Sequence, residues 1–245
     1  MEKTPLISII LPVFLEQNNI AWTLSQIHSQ VKYRHEIIII YDNTSDPTIN
    51  AVKTHTQSRK IKIIKNTHGT GVLNAIKTGF EKARGEIFVV MAADRTDDPK
   101  TINTMFSKIL LGYDLVCPTR YSLGGKILGK VSVKSALSRL AGISTPYLLG
   151  IPTSDLTYSF KMFKKTLLDS IPIQSKSGFE FSEEMTIKAH LYGFKITEVP
   201  TIWHDRKYGK SKFKLIQWLP SYMYWFIWGF INRLLLLIFG RTFYT

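Results

Sequence analysis

Short apolar runs separated by helix-like stretches fill the first 120 residues, and that alternation restricts the chain to a few architectures. The run EIIIIY at residues 36–41 is the plainest of them. An unbroken aliphatic strand suits a parallel sheet covered on both faces, because a half-exposed strand would alternate apolar with polar. ISIILPVF at 7–14, IKIIK at 61–65, EIFVVMA at 86–92 and DLVC at 114–117 read as further strands. Helices are expected over 18–31, 49–57 and 72–83, with Pro99 as the first residue of another. The expected class is therefore α/β, with a mainly parallel central sheet and helices on both faces.

In open sheets of this kind ligands bind beyond the carboxyl ends of the strands. Those ends carry three polar loops, at residues 12–16, 42–46 and 94–98. Asp94, Asp97 and Asp98 fall within five residues of one another. Clustered carboxylates repel, so such a loop is eased by a bound hard cation, which favours oxygen ligands shared with substrate phosphates. Helix capping is the plainer account, and before Pro99 it suits Asp98, which leaves Asp94 as the ligand. Asp42 and Asp46 follow the second strand and can accept from a base or a ribose, or else close Asx turns. Glu16 has the same two readings. Gly69 and Gly71 precede a helix as in a phosphate-cradling turn, without the third glycine of a dinucleotide fingerprint. Glu180, Glu183 and Glu184 lie ahead of a helix that runs to about His190, where a glutamate could act as a base or position an acceptor. The six histidines show no metal-type pairing and read as surface or packing residues.

Charge and the carboxyl-terminal stretch narrow the class of partner. Lys and Arg number 32 against 18 acidic residues, a formal charge of +14 that draws polyanions of any kind. Residues 119–139 hold Arg120, Lys126, Lys130, Lys134 and Arg139 with no acidic residue. Arg206, Lys207, Lys210, Lys212 and Lys214 stand just before the tail. Residues 218–239 are almost wholly apolar and aromatic, interrupted by Pro220, Asn232 and Arg233. Their Trp and Tyr content suits a helix in the membrane interface, with a full span or a helix buried on the domain as alternatives. Basic residues beside such a segment suit anionic lipid or a lipid phosphate. No nucleic-acid module is recognisable, so no nucleic-acid partner is expected. With Cys117 as the only cysteine, an intrachain disulfide and a cysteine zinc site are excluded. The amino terminus lacks the long apolar region of a signal peptide, and the chain is expected to stay on the cytoplasmic face of a membrane.

The order of motifs resembles the family 2 glycosyltransferases, and within them the dolichol- or polyprenyl-phosphate mannosyltransferase-like branch. SIILPVFLE, EIIIIYDNTSDPT, GTGVLNAIKTGFEKARGEIFVVMAADRTDDP, RYSLGGK, DLTYSFKMF, GFEFSEEM and EVPTIWHDRKYGKSKF carry it, over about residues 6–214. The resemblance implies a GT-A fold and an inverting, Mg2+- or Mn2+-dependent transfer of a hexosyl group. The donor would be GDP-mannose or a UDP-sugar, and the acceptor a polyprenyl phosphate at a membrane surface. Residues 1–214 would form the catalytic domain, divided near 118 into a nucleotide and metal half and an acceptor half, with 215–245 as a membrane-associating tail. Pro12, Glu16, Asp42, Asp46, Gly71 and Lys210 would then serve the nucleotide-sugar. Arg120, Lys134, Ser138 and Arg206 would face the acceptor phosphate, with Lys212, like Lys210, closing over the donor diphosphate or the acceptor. Asp94 and Asp97 would hold the metal, with Asp94, Arg206 and Glu184 at the chemistry, Glu184 as base where the acceptor is a hydroxyl of a glycan or glycolipid. One departure stands out: Ala92 occupies the place of the first metal-motif aspartate. A catalytically weak homologue that binds sugar nucleotide, or a membrane scaffold whose carboxylates are only caps, stays open, and so does the oligomeric state.

Overall fold

The computed structural model describes residues 6–55, 61–129, 133–176, 178–209 and 215–240. Seven strands form one sheet in the order β3 (Ile61–Lys65), β2 (His35–Tyr41), β1 (Ile7–Val13), β4 (Ile87–Val90), β7 (Lys161–Lys164), β5 (Leu115–Thr119) and β8 (Ile196–Pro200). β1 pairs in parallel with β2 and β4, β2 with β3, and β5 with β8, whereas β7 is antiparallel to both β4 and β5. A second sheet pairs β6 (Lys126–Leu128) with β9 (Ile202–His204). The expected mainly parallel α/β sheet is thus present.

Alternate side chains of each strand feed two cores, because successive residues point to opposite faces. On one face Ile7, Ile9 and Leu11 meet Leu24 and Ile27 of α1 (Ile20–Gln30) and Met105 and Phe106 of α4 (Thr101–Leu110). On the other, Ile10, Ile38 and Ile40 meet Ile76 of α3 (Val72–Lys82), and Phe88 and Phe163 continue toward Phe181 and Met185 of α7 (Phe181–Leu191). Fully burying an aliphatic side chain of this kind stabilises by roughly 1.5–3 kcal/mol.

The starts of the second and fourth helices differ from the sequence reading for definite reasons. α2 (Pro47–Lys53) begins inside the stretch expected to be loop, because Asp46 caps it and Pro47 supplies a ready-made first turn. α4 starts at Thr101, not at Pro99, which lies in the turn where the Thr101 N–H donates to the Asp98 carbonyl at 3.1 Å. β7 is a strand that the sequence reading missed. Its first residue, Lys161, pairs with Val90 at the end of β4, so the segment before it reaches the carboxyl edge of the sheet.

The carboxyl-terminal helix α8 (Leu215–Phe239) packs on α7 by one face only. Trp225 is buried there, and Gly229 is needed, since a Cβ at that position would lie 2.7 Å from Ile187 Cγ2. Its other face leaves Ile227, Ile231 and Leu234 exposed. Arg233 Nη1 donates to the Tyr147 carbonyl at 2.5 Å and ties α8 to α5 (Val133–Leu148), whose Leu140, Ile143 and Tyr147 are exposed too. Gln217–Phe239 is long and apolar enough to cross a membrane.

Candidate active site

The three loops at the carboxyl ends of β1, β2 and β4 are shaped by side chains that reach between them. Pro12 lies in β1 opposite Ile40 of β2, and the chain then turns through Leu15 at φ 57°. This left-handed conformation is uncommon for a bulky residue and persists only where the surroundings fix it. The Leu15 N–H donates to Asp46 Oδ2 at 2.9 Å and the Glu16 N–H to Thr48 Oγ1 at 2.8 Å. Asp46 Oδ1 meanwhile accepts from the Thr48 N–H at 2.8 Å, capping α2. The buried Asp46, expected to touch the nucleotide, instead spends both oxygens on the turn that presents Glu16. Asp42 accepts from Asn66 Nδ2 and from the Gly71 N–H, each at 2.8 Å. Two expected site residues, Asp42 and Gly71, thereby meet, with Gly71 at φ 110°, where a side chain would be strained.

After β4 the acidic cluster divides. Asp98 Oδ1 accepts from the Lys100 N–H at 3.0 Å and closes the turn before α4, whose N-cap is Lys100 and not the expected Asp98. Asp97 is buried, taking the Ala92 N–H on Oδ2 at 2.8 Å and the Tyr158 hydroxyl on Oδ1 at 2.5 Å. Burial pushes its carboxyl up to about 7, against the opposing effect of those two hydrogen bonds. With each oxygen engaged inside the protein, Asp97, expected at a metal, here braces the loop. Asp94 is the carboxylate left at the mouth. Its Oδ1 accepts from Thr96 Oγ1 at 2.6 Å and its Oδ2 from Arg206 Nη1 at 3.2 Å.

Arg206 joins the loops. Its Nη2 donates to Glu16 Oε1, its Nη1 to Asp94, and its Nε to the Tyr208 carbonyl at 2.7 Å. Asn19 Nδ2 supports Glu16 from the other side at 2.8 Å. Burial raises the Glu16 carboxyl above its ordinary value although Asn19 and Arg206 favour the charged form. Arg95, at φ 70°, fastens the same corner: its Nη2 donates to the Asn18 carbonyl at 2.6 Å, and its guanidinium lies 5.3 Å from the Trp22 ring and 5.1 Å from the Tyr208 ring.

The carboxyl-terminal half of the chain meets this edge through the segment before β7. Arg120 grips the buried Asp155 with Nε to Oδ2 and Nη2 to Oδ1, both at 2.7 Å, and Nη2 also donates to Ser138 Oγ at 3.0 Å. Burial alone would lower the Arg120 pKa, but Asp155 holds it above its ordinary value. The guanidinium lies 4.6 Å from the Tyr158 ring, and Tyr158 reaches Asp97. Arg120 and Ser138 are therefore brought together as expected, and Asp155, Thr157 and Tyr158 complete the group, with Thr157 Oγ1 2.9 Å from Ser138 Oγ. The DLTYSFKMF motif was visible in the sequence, but only the antiparallel β7 shows that its polar residues belong to the site.

Lys134 stands one turn before Ser138 on α5. Lys210 and Lys212 lie outside the described residues. Glu184 does not belong to this cluster. It is fully buried, accepting from the Gln174 and Ser175 N–H groups at 2.7 and 2.8 Å and from Lys188 Nζ at 2.5 Å. The expected base is thus an anchor for the chain before α7.

A protein-held divalent cation fits this donor set poorly. Ala92 offers no carboxylate, Asp97 is engaged, and among the described residues no three His, Cys, Asp or Glu side chains converge as a metal site. Asp94 alone remains, and a single carboxylate holds such an ion only with help from a phosphorylated ligand.

Comparison with known proteins identifies the family and the fold. The family described as Glycosyl transferase family 2 matches residues 8–171. A dolichol-phosphate mannosyltransferase of Pyrococcus furiosus is 27% identical over 213 residues, covering 85% of this chain and 59% of that protein. A polyprenol monophosphomannose synthase of Mycolicibacterium smegmatis is 24% identical over 227 residues, covering 86% of this chain and 85% of that protein. The chain therefore spans less than two thirds of the length of the first of these relatives. A glucosyl-3-phosphoglycerate synthase from Mycobacterium tuberculosis, crystallised with Mn2+, UDP and glucosyl-3-phosphoglycerate, superposes with a TM-score of 0.68. It is 16% identical, and the match covers 94% of this chain and 80% of that one, which establishes the shared GT-A architecture.

Proposed function

Since the chain belongs to glycosyl transferase family 2, we propose that it moves a hexosyl group from a nucleotide-sugar to a polyprenyl or dolichyl phosphate at the cytoplasmic face of a membrane. The observation that carries this reading is the meeting of Glu16, Asp94 and Arg206 at the carboxyl edge of the sheet. Three residues far apart in sequence converge where a nucleotide-sugar would lie. The names of the two mannosyltransferase relatives support a lipid-phosphate acceptor, and the exposed apolar faces of α5 and α8 support a membrane surface.

In this reading Pro12, Glu16, Asp42 and Gly71 border the base and ribose. The acceptor phosphate approaches Ser138 and Arg120, with Lys134 one turn away and Lys212 from the segment beyond the described residues. The phosphate oxygen attacks the anomeric carbon from the face opposite the donor. The bond from that carbon to the diphosphate oxygen breaks, and the nucleoside diphosphate leaves with the electron pair. Arg206, joined by Lys210, neutralises the charge that develops there, the principal demand on such a site. The attacking oxygen is already anionic, so no strong base is required, consistent with Glu184 being engaged elsewhere.

The test combines the purified protein in detergent or lipid with short-chain polyprenyl phosphate and a panel of radiolabelled GDP- and UDP-sugars, each with and without Mg2+ or Mn2+. Label passing into the organic phase identifies donor and acceptor together. No lipid product with any donor, in a preparation that binds nucleotide, would overturn the acceptor assignment.

A further inference from the structure

We propose that Arg206 takes the place of a protein-held divalent cation, so that this chain binds the diphosphate of its donor through a guanidinium and not through a metal carried by paired aspartates. The inference rests on the nucleotide-sugar reading above. Three observations carry it. Ala92 stands where the family resemblance implies the first of two metal-motif aspartates, so this chain offers no carboxylate there. Asp97, the nearest replacement, is turned inward and holds the Ala92 N–H and the Tyr158 hydroxyl. Arg206 puts a fixed positive charge directly on Asp94 Oδ2, where a cation would otherwise compete for that oxygen.

The position of Arg206 is built, not incidental. Glu16 and Asp94 hold its two terminal nitrogens, the Tyr208 carbonyl holds Nε, and the side chain is 14% exposed. Glu16 is in turn fixed by Asn19. A guanidinium held at three points keeps its plane and retains further N–H groups for an incoming oxyanion. Paired N–H donation to phosphate oxygens is the strongest arrangement such a group offers. In the absence of donor the two carboxylates occupy Arg206. The diphosphate then takes the remaining N–H groups of the guanidinium, and any divalent ion arrives coordinated to the donor.

Two binding measurements test this, neither of which depends on turnover. In the first, Mn2+ alone is titrated into the protein and free ion is followed by electron paramagnetic resonance. The wild type should show no saturable site, whereas Ala92→Asp, with folding checked by circular dichroism, should gain affinity by about tenfold or more from the added charge. In the second, UDP and GDP are titrated calorimetrically in EDTA. One of them should bind the wild type, and Arg206→Gln should weaken it by about tenfold to a hundredfold, as expected for a charged hydrogen-bonding group. Arg206→Lys, which keeps the charge but not the fork, should fall between. A saturable Mn2+ site in the wild type, or nucleotide binding that vanishes in EDTA, would overturn the inference and leave the transferase reading intact. Failure of both nucleotides to bind with or without Mn2+ would instead remove the donor reading, and this inference with it.

Discussion

Carboxylates in this chain look alike in sequence and do different work in the fold. Asp46, Asp97 and Glu184 each bind backbone or side-chain donors inside the protein, while Asp94 and Glu16 face Arg206 at the edge. Local pattern does not separate them, because the partners are distant: Tyr158 is 61 residues from Asp97, and Leu15 is 31 from Asp46. Glu184 offers a direct check. It compensates the buried Lys188, which lies 4.9 Å from the Trp225 ring. Replacing Glu184 by Gln should destabilise the protein by about 3–5 kcal/mol, the scale for leaving a buried cation without its partner. The pH dependence of kcat should keep its shape. A base role would show the opposite, with unfolding in denaturant unchanged and the basic-side activity lost by orders of magnitude.

Strands and helices were the most legible units. β1, β2, β3 and α3 lie almost where the apolar runs place them, because strands buried on both faces require continuous aliphatic sequence. The failures have particular causes. β7, KMFK, is four residues long and flanked by Lys161 and Lys164, so it carries no period of its own. Lys161 is buried all the same, donating to the Leu156 carbonyl at 2.8 Å and to Ser182 Oγ at 2.9 Å. Strand ends also carry a testable charge. Glu36, in β2, is buried and accepts from Ser8 of β1, from the Arg84 N–H and from Lys62 of β3. Burial alone would raise its carboxyl, but these partners hold it at about 2. The folded value lies below the unfolded one, so the stabilisation is complete above the ordinary glutamate pKa and is lost as pH falls through about 2. Glu36→Gln should therefore lose on the order of 2 kcal/mol at neutral pH and flatten the acid limb of urea unfolding between about pH 4.5 and 2. An acid limb identical to wild type would show that Glu36 is not the group responsible.

In the proposed reading, the basic charge, the carboxyl edge of the sheet and the exposed apolar faces would together give the molecule an orientation on a membrane. α5 carries Ser138 beside Arg120 and also exposes Leu140, Ile143 and Tyr147, and Arg233 joins α5 to α8. A membrane contacting those faces would meet the same helix that holds the acceptor-side serine. Ile227→Lys combined with Ile231→Lys should weaken co-sedimentation with anionic liposomes by at least about tenfold, since a lysine placed in hydrocarbon costs about 2.5–3.5 kcal/mol. Nucleotide affinity should be untouched. Unaltered liposome binding by the double variant would mean that this face is covered by protein and not by lipid.

The parallel sheet, its carboxyl edge, the basic balance and the apolar tail followed from composition and periodicity alone, because burial on both faces of a sheet and along a long helix leaves a continuous mark on the chain. The family resemblance added the glycosyltransferase reading and the significance of Ala92. Only the fold decided which acids face the edge and which are taken up inside. That choice depends on which donors arrive from other elements, and the antiparallel β7 brings Tyr158 and Asp155 to Asp97 and Arg120. Hydrogen bonds between residues remote in sequence leave no periodic trace, so Arg206 as the clasp between Glu16 and Asp94 became visible only once the loops were placed together in space.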